Sequence, residues 1–107
     1  MMAAPQPRPQ DSAIEELLEA AYALEAAAAA DSWDEALELE TLCRRLLEAL
    51  LVEPPDLAQA ESIETVAIIY RRVMGLAEEC RTAVADELGR LRQGRRASNA
   101  YDAERGA

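Results

Sequence analysis

Residues 57–93 read LAQAESIETVAIIYRRVMGLAEECRTAVADELGRLRQ. Apolar side chains recur in it at Ile63, Val66, Tyr70, Val73, Ala77, Cys80 and Val84, then at Leu88 and Leu91. Steps of three and four are the period of a helix, and their mean of about 3.5 is the seam along which antiparallel or coiled helices pack. The stretch predicts one long helix, from Leu57 to Gln93. The β-branched cluster Ile63, Val66, Ile68 and Ile69 falls inside that period, so it is no strand. Asp56 follows Pro54-Pro55 and precedes Gln59, which marks an N-cap with a reciprocal partner. The repeat fails at Glu87, so the seam is imperfect near its end.

Two more start signals lie upstream. Ser12 has Glu15 three residues later, and Ser32 has Glu35, both capping-box patterns. They predict helix 1 from Ser12 to Ala30 and helix 2 from Trp33 to Val52. Helix 1 places Ile14, Leu17, Leu18, Ala21, Leu24 and Ala28 on one face, with most of its glutamates elsewhere. Helix 2 does the same with Leu39, Leu42, Cys43, Leu46, Leu47 and Leu50. Asp31-Ser32 and Glu53-Pro54-Pro55 are connections short enough to force antiparallel neighbours. The fold class is therefore all-α: an antiparallel bundle of three main helices, the third long, with a short C-terminal helix or tail. Residues 1–10 are expected as a disordered Pro-rich arm, 11–94 as the bundle domain, and 95–107 as the short helix or flexible tail.

The helix lengths do not match. At ~1.5 Å per residue the first two are about 28 Å long and the third roughly 55 Å. The far part of helix 3 needs cover for Cys80, Val84, Leu88 and Leu91. A second copy of the chain, a folded-back tail or a partner protein would provide it. Gly75 would allow a kink there, at a cost near 1 kcal/mol relative to Ala. The run Ala26 to Ala30 makes good helix but buries little area, so the core is thin.

Composition removes several function classes. The chain has 107 residues, 21 acids against 11 arginines, no His, no Lys and no Phe. His-based acid–base chemistry and His-ligated metal are unavailable, and so are a Schiff-base or P-loop lysine. The small all-helical chorismate mutases, similar in length and helix count, need cations converging inside the bundle, usually including Lys, whereas here Arg44, Arg45, Arg71 and Arg72 fall mostly on polar faces. The expectation is a binding protein, not an enzyme, with no metal and no cofactor. The net charge of −10 is uneven. Residues 11–66 hold 15 acids and 2 arginines, and residues 67–107 hold 6 acids and 8 arginines. Acids near helix starts and arginines near a helix end suit the macrodipole. The same split would also let the arginine-rich end meet acids of the hairpin. Direct nucleic-acid binding is not expected, because no aromatic residues interleave with the arginines.

No run approaches the ~18 apolar residues of a membrane span, and no apolar core follows Pro5, Pro7 and Pro9 as in a secretory signal. Cys43 and Cys80 sit at apolar helical positions without a CxxC motif, as reduced cysteines of a cytoplasmic protein do.

Two local patterns carry a resemblance. Asp31-Ser32-Trp33-Asp34-Glu35-Ala36 opens helix 2 ahead of a leucine stripe. Asp86-Glu87-Leu88-Gly89-Arg90-Leu91 leads through Gly94 to Ser98-Asn99-Ala100-Tyr101. Together with length, helix count and acidity, they resemble the FliT family of flagellar export chaperones over the whole chain. The Pro-rich arm and the alanine content depart from that family. The resemblance implies a cytoplasmic type III secretion chaperone that binds the C-terminal helical region of the filament cap protein FliD. It implies contacts with the export gate FlhA and the export ATPase, and in some bacteria anti-activation of the master regulator FlhDC. It also implies that the segment from Arg95 and Arg96 to Tyr101 acts as an autoinhibitory lid, with Tyr101 docking at the export gate. An amphipathic client helix needs an apolar groove with spaced anchors. Candidate lining residues are Leu39, Leu46, Leu50, Ile69, Val73, Leu76, Cys80 and Val84. A homodimer is compatible with this reading. The rival readings are a helical secretion chaperone of the FlgN type and a homo-oligomeric coiled-coil interaction protein.

Overall fold

A computed structural model describes residues 9–105, with side chains from Asp11 onward. It contains α1 (Pro9–Ala29), α2 (Trp33–Leu50) and α3 (Leu57–Arg105), and no strand among the described residues. The all-α class and the count of three main helices follow the sequence reading. Residues 1–8 of the expected arm lie outside the described residues. Pro9 and Gln10 form the first turn of α1. Proline suits that place, because its missing N–H has no helical partner there and its φ is already helical. Ser12 is therefore inside the helix, and its expected role as a cap is corrected.

α1 ends where Asp31 adopts a left-handed φ of 62°. Ser32 N–H donates to the Ala27 carbonyl at 2.8 Å and Asp31 N–H to that of Ala28 at 3.1 Å. This pair of bonds is a Schellman closure with Asp31 in the place glycine most often takes. Asp tolerates it better than most residues. The Trp33 indole N–H then donates to Asp31 Oδ1 at 2.6 Å, tying the first residue of α2 to the turn. Ser32 makes no side-chain cap bond, so here the tryptophan and the turn do the fixing. At α3 the expected reciprocal cap is formed. Gln59 N–H donates to Asp56 Oδ1 at 2.8 Å, and Asp56 N–H to Gln59 Oε1 at 3.0 Å.

The chain divides into two compact units, residues 1–76 and 77–107. In the first, α1, α2 and the opening turns of α3 run up, down and up. Leu17, Leu24, Ile69 and Cys43 are the largest fully buried side chains. Ala20, Ala21, Ala27, Ala28 and Ala36 fill the space around them. Small side chains let helix axes approach closely, near the low end of the usual 8–10 Å. Leu18, Trp33, Leu39, Leu46, Leu47, Leu50, Tyr70 and Leu76 pack partly buried on this core. Leu42, expected on the packed face of α2, is 39% exposed. It falls at the margin of the apolar arc, where Ala36 and Cys43 take the centre.

The second unit is helical from Ala77 to Arg105. From Arg81 onward every described residue is exposed, including Val84 at 54%, Leu88 at 48% and Leu91 at 61%. Residues 95–105, expected as a separate short helix or a tail, are the end of α3 itself. They contain no proline, and Ala, Arg and Glu are good helix formers. Gly75, Gly89 and Gly94 all stay helical, none with positive φ.

Candidate functional site

Open grooves lie among the described residues of the first unit. One, of about 470 Å³, lies between α2 and α3. Leu47, Ile63, Val66, Ala67 and Tyr70 make its apolar walls, and Glu40, Arg44 and Arg71 stand at its rim. The antiparallel register explains this. Tyr70 reaches back to α2, and its hydroxyl donates to the Glu40 carbonyl at 3.4 Å. Glu40 and Tyr70 therefore share one end of the groove, and Leu47 and Ile63 the other. A second groove, of about 350 Å³, is bounded by Leu24, Trp33, Asp34, Ala36, Leu37, Glu40 and Val73. A third, of about 310 Å³, lies between α1 and α2 and has Glu16 and Glu19 among its lining.

Electrostatics around the first groove are local. Arg44 Nη2 lies 2.6 Å from Glu40 Oε1, and that bond, with the glutamate's charge, raises the guanidinium pKa. Burial pushes the Tyr70 phenol up to about 12, helped by the charges of Cys43 and Glu40. Burial also raises the Cys43 thiol, against a smaller lowering effect of its hydrogen bond with Tyr70. Both shifts favour the neutral thiol and phenol, the opposite of what an activated nucleophile needs. Among the described residues, no group of three His, Cys, Asp or Glu side chains is placed to hold a metal ion. No described helix is long and apolar enough to cross a membrane.

The structure separates the sequence candidates. Ile69 is 1% exposed and belongs to the core, as does Val73. Val73 also forms part of the groove beside Trp33, and Leu39 part of the one between α1 and α2. Leu46, Leu50 and Leu76 are half-buried against the core. In the second unit, Cys80 is half-buried and Val84 exposed. Arg95, Arg96 and Tyr101 lie exposed on the end of α3. There the Arg105 guanidinium sits over the Tyr101 ring, 5.8 Å from its centroid.

The model of one protein family, described as flagellar protein FliT, matches residues 11–103. The chain belongs to the FliT family. The match begins in α1, crosses all three helices, and includes both Trp33 and Tyr101. No curated protein and no solved structure matches the chain. As a FliT-family protein it is a flagellar export chaperone.

Sequence reasoning missed most of the α2–α3 groove. Ile63, Val66 and Tyr70 were legible as seam positions, but Leu47, Ala67, Glu40, Arg44 and Arg71 were not legible as their neighbours. The signal that would have found them is the antiparallel register of α2 on α3, which pairs Glu40 with Tyr70.

Proposed function

We propose that this protein is a cytoplasmic flagellar type III secretion chaperone for the filament cap protein FliD. It binds the C-terminal helical region of FliD and delivers it to the export apparatus. The observation that carries this reading is the α2–α3 groove: open, apolar in its walls, and charged only at its rim. Such a groove takes the apolar face of an amphipathic helix, with anchors at spacings of three, four and seven. Family membership supplies the flagellar context. In the same reading, the chaperone contacts the export gate FlhA and the export ATPase, with Tyr101 as a docking residue. Anti-activation of FlhDC belongs to the same reading.

The test is a pull-down, followed by calorimetry, of the full chain against FliD and against the hook-associated proteins. Capture of FliD through its C-terminal fragment supports the proposal. Capture of hook-associated proteins alone replaces it with the FlgN-type reading. The exposed stripe Val84, Leu88 and Leu91 also favours a homo-oligomeric coiled coil. Light scattering across concentration tests that reading. In the lid reading, Arg95, Arg96 and Tyr101 belong to a segment that competes with the client. Deleting residues 98–107 should then tighten FliD binding, and unchanged or weaker binding removes the lid.

A further inference from the structure

The rim of the α2–α3 groove is not electrically uniform. The described arginines of the first unit are Arg44, Arg45, Arg71 and Arg72. Arg44 is held by Glu40 at 2.6 Å, Arg72 lies 3.6 Å from Glu25, and Arg45 does not line the groove. Arg71 stands at the groove and makes no ion pair among the described residues. Its neighbours three and four positions away on α3 are Ala67, Ile68, Met74 and Gly75, none of them acidic. The acid that faces it from α2, Glu40, is already bonded to Arg44. An uncompensated guanidinium therefore borders apolar walls.

The surroundings give that charge meaning. Residues 11–66 carry a net charge of −13, which attracts cations diffusely and repels acids. A diffuse field sets no register for a bound helix. An unpaired cation at the groove itself does, because along its walls a carboxylate is favoured only there. Arginine also suits the task, since its planar fork pairs with a carboxylate through two hydrogen bonds. The groove has a direction as well. Arg71 and Glu40 stand at one end, Ile63 and Leu47 at the other. From Ile63 to Arg71 is about 12 Å of helix, a little over two turns.

We propose that Arg71 is the selectivity residue of this groove and pairs with a carboxylate on an amphipathic client helix. The carboxylate lies about two turns from the apolar anchor that fills the Ile63–Leu47 end. The occupant is thus a helix with an acid at one position and apolar side chains three or four, and seven, positions away. This inference rests on the client-groove reading above.

The experiment titrates the full chain with the C-terminal helical fragment of FliD. The fragment is used intact and with each acidic residue changed in turn to its amide. Three protein variants are compared: R71Q, R71E and A67Q, each checked by thermal unfolding. Ala67 is exposed in the groove, so A67Q adds neutral bulk there without touching the core. R71Q is expected to weaken binding about fivefold, the upper range for an exposed ion pair, and R71E by more. One amide fragment should lose the same factor on the wild-type chain and nothing on R71Q. Changing that same acid to Lys should restore binding to R71E. Loss of binding in A67Q with no change in R71Q overturns the selectivity role and leaves the groove reading standing. Unchanged binding in A67Q, or no binding to the wild-type chain, overturns both.

Discussion

The apolar face of α3 that joins Ile69, Val73, Leu76, Cys80 and Val84 is one pattern in sequence and two environments in the structure, and substitution at two of its residues distinguishes them. Ile69 is 1% exposed in the cluster that holds Leu17 and Leu24, whereas Val84 is 54% exposed. Truncating a buried isoleucine to alanine costs about 2–5 kcal/mol, through lost transfer energy and the cavity left behind. Trimming it to valine costs roughly 0.5–1.5 kcal/mol. A 76-residue unit at about 0.05–0.15 kcal/mol per residue has only about 4–11 kcal/mol in total. At the low end of that range I69A leaves the first unit close to its unfolding threshold. I69V is the measurable variant. At an m-value of about 1 kcal/mol per molar urea, its midpoint should fall by roughly 1 M. V84A, on an exposed surface, should stay within about 0.5 kcal/mol of wild type. The assay is urea unfolding followed by the fluorescence of Trp33, the single tryptophan, which packs on this core. That probe reports the first unit even where helicity in the second melts separately. If V84A shifts the midpoint as far as I69V, or I69A does not shift it, the division of this face into core and exposed halves is wrong.

Three further outcomes are expected. In the native chain, iodoacetamide should modify Cys80 well before Cys43, because Cys43 is 1% exposed and its burial favours the thiol; equal rates would contradict that burial. The Tyr70 phenol is raised from 10.0 to about 12, so folding favours its neutral form. Its contribution to stability is full below pH 10 and is lost as pH rises toward 12. Y70F should flatten that alkaline decline in thermal melts, and an unchanged decline would assign it to other groups. Replacing Asp56 with Ala removes the bond from Gln59 N–H and should cost about 1 kcal/mol in urea unfolding. A change below about 0.3 kcal/mol would mean that the Asp56 carboxylate does little to hold the start of α3.

Much of the fold was legible. The apolar periods gave three helices, and the starts at Trp33 and Leu57 fell where their flanking residues put them. The reciprocal pair Asp56 and Gln59 read correctly, because capping chemistry is local: both partners lie within one turn. Ser12 misled for a related reason. Its spacing to Glu15 fits a cap, but Pro9 begins a helix equally well and three residues earlier. The end of α3 was read too short, because Gly94 looks like a stop although it costs a continuing helix only about 1 kcal/mol. The candidate site was less legible. A stripe of apolar residues says which face seeks cover, and Ile69 and Val84 share that stripe.

By itself, then, the sequence determined what depends on neighbours in the chain: helix number, the α3 cap, the tight turn at Asp31-Ser32, the acidic front and basic end, and the family pattern around Trp33 and Tyr101. Tertiary structure decided what depends on neighbours in space. Packing of α1 on α2 and α3 buried Ile69 and Cys43 and left Leu42 at the margin. The antiparallel register of α2 and α3 set Tyr70 against Glu40, and with it opened a groove that Arg71 borders. Local propensity is written in the order of residues, whereas a groove is the gap that remains when helices of unequal side chains are laid together.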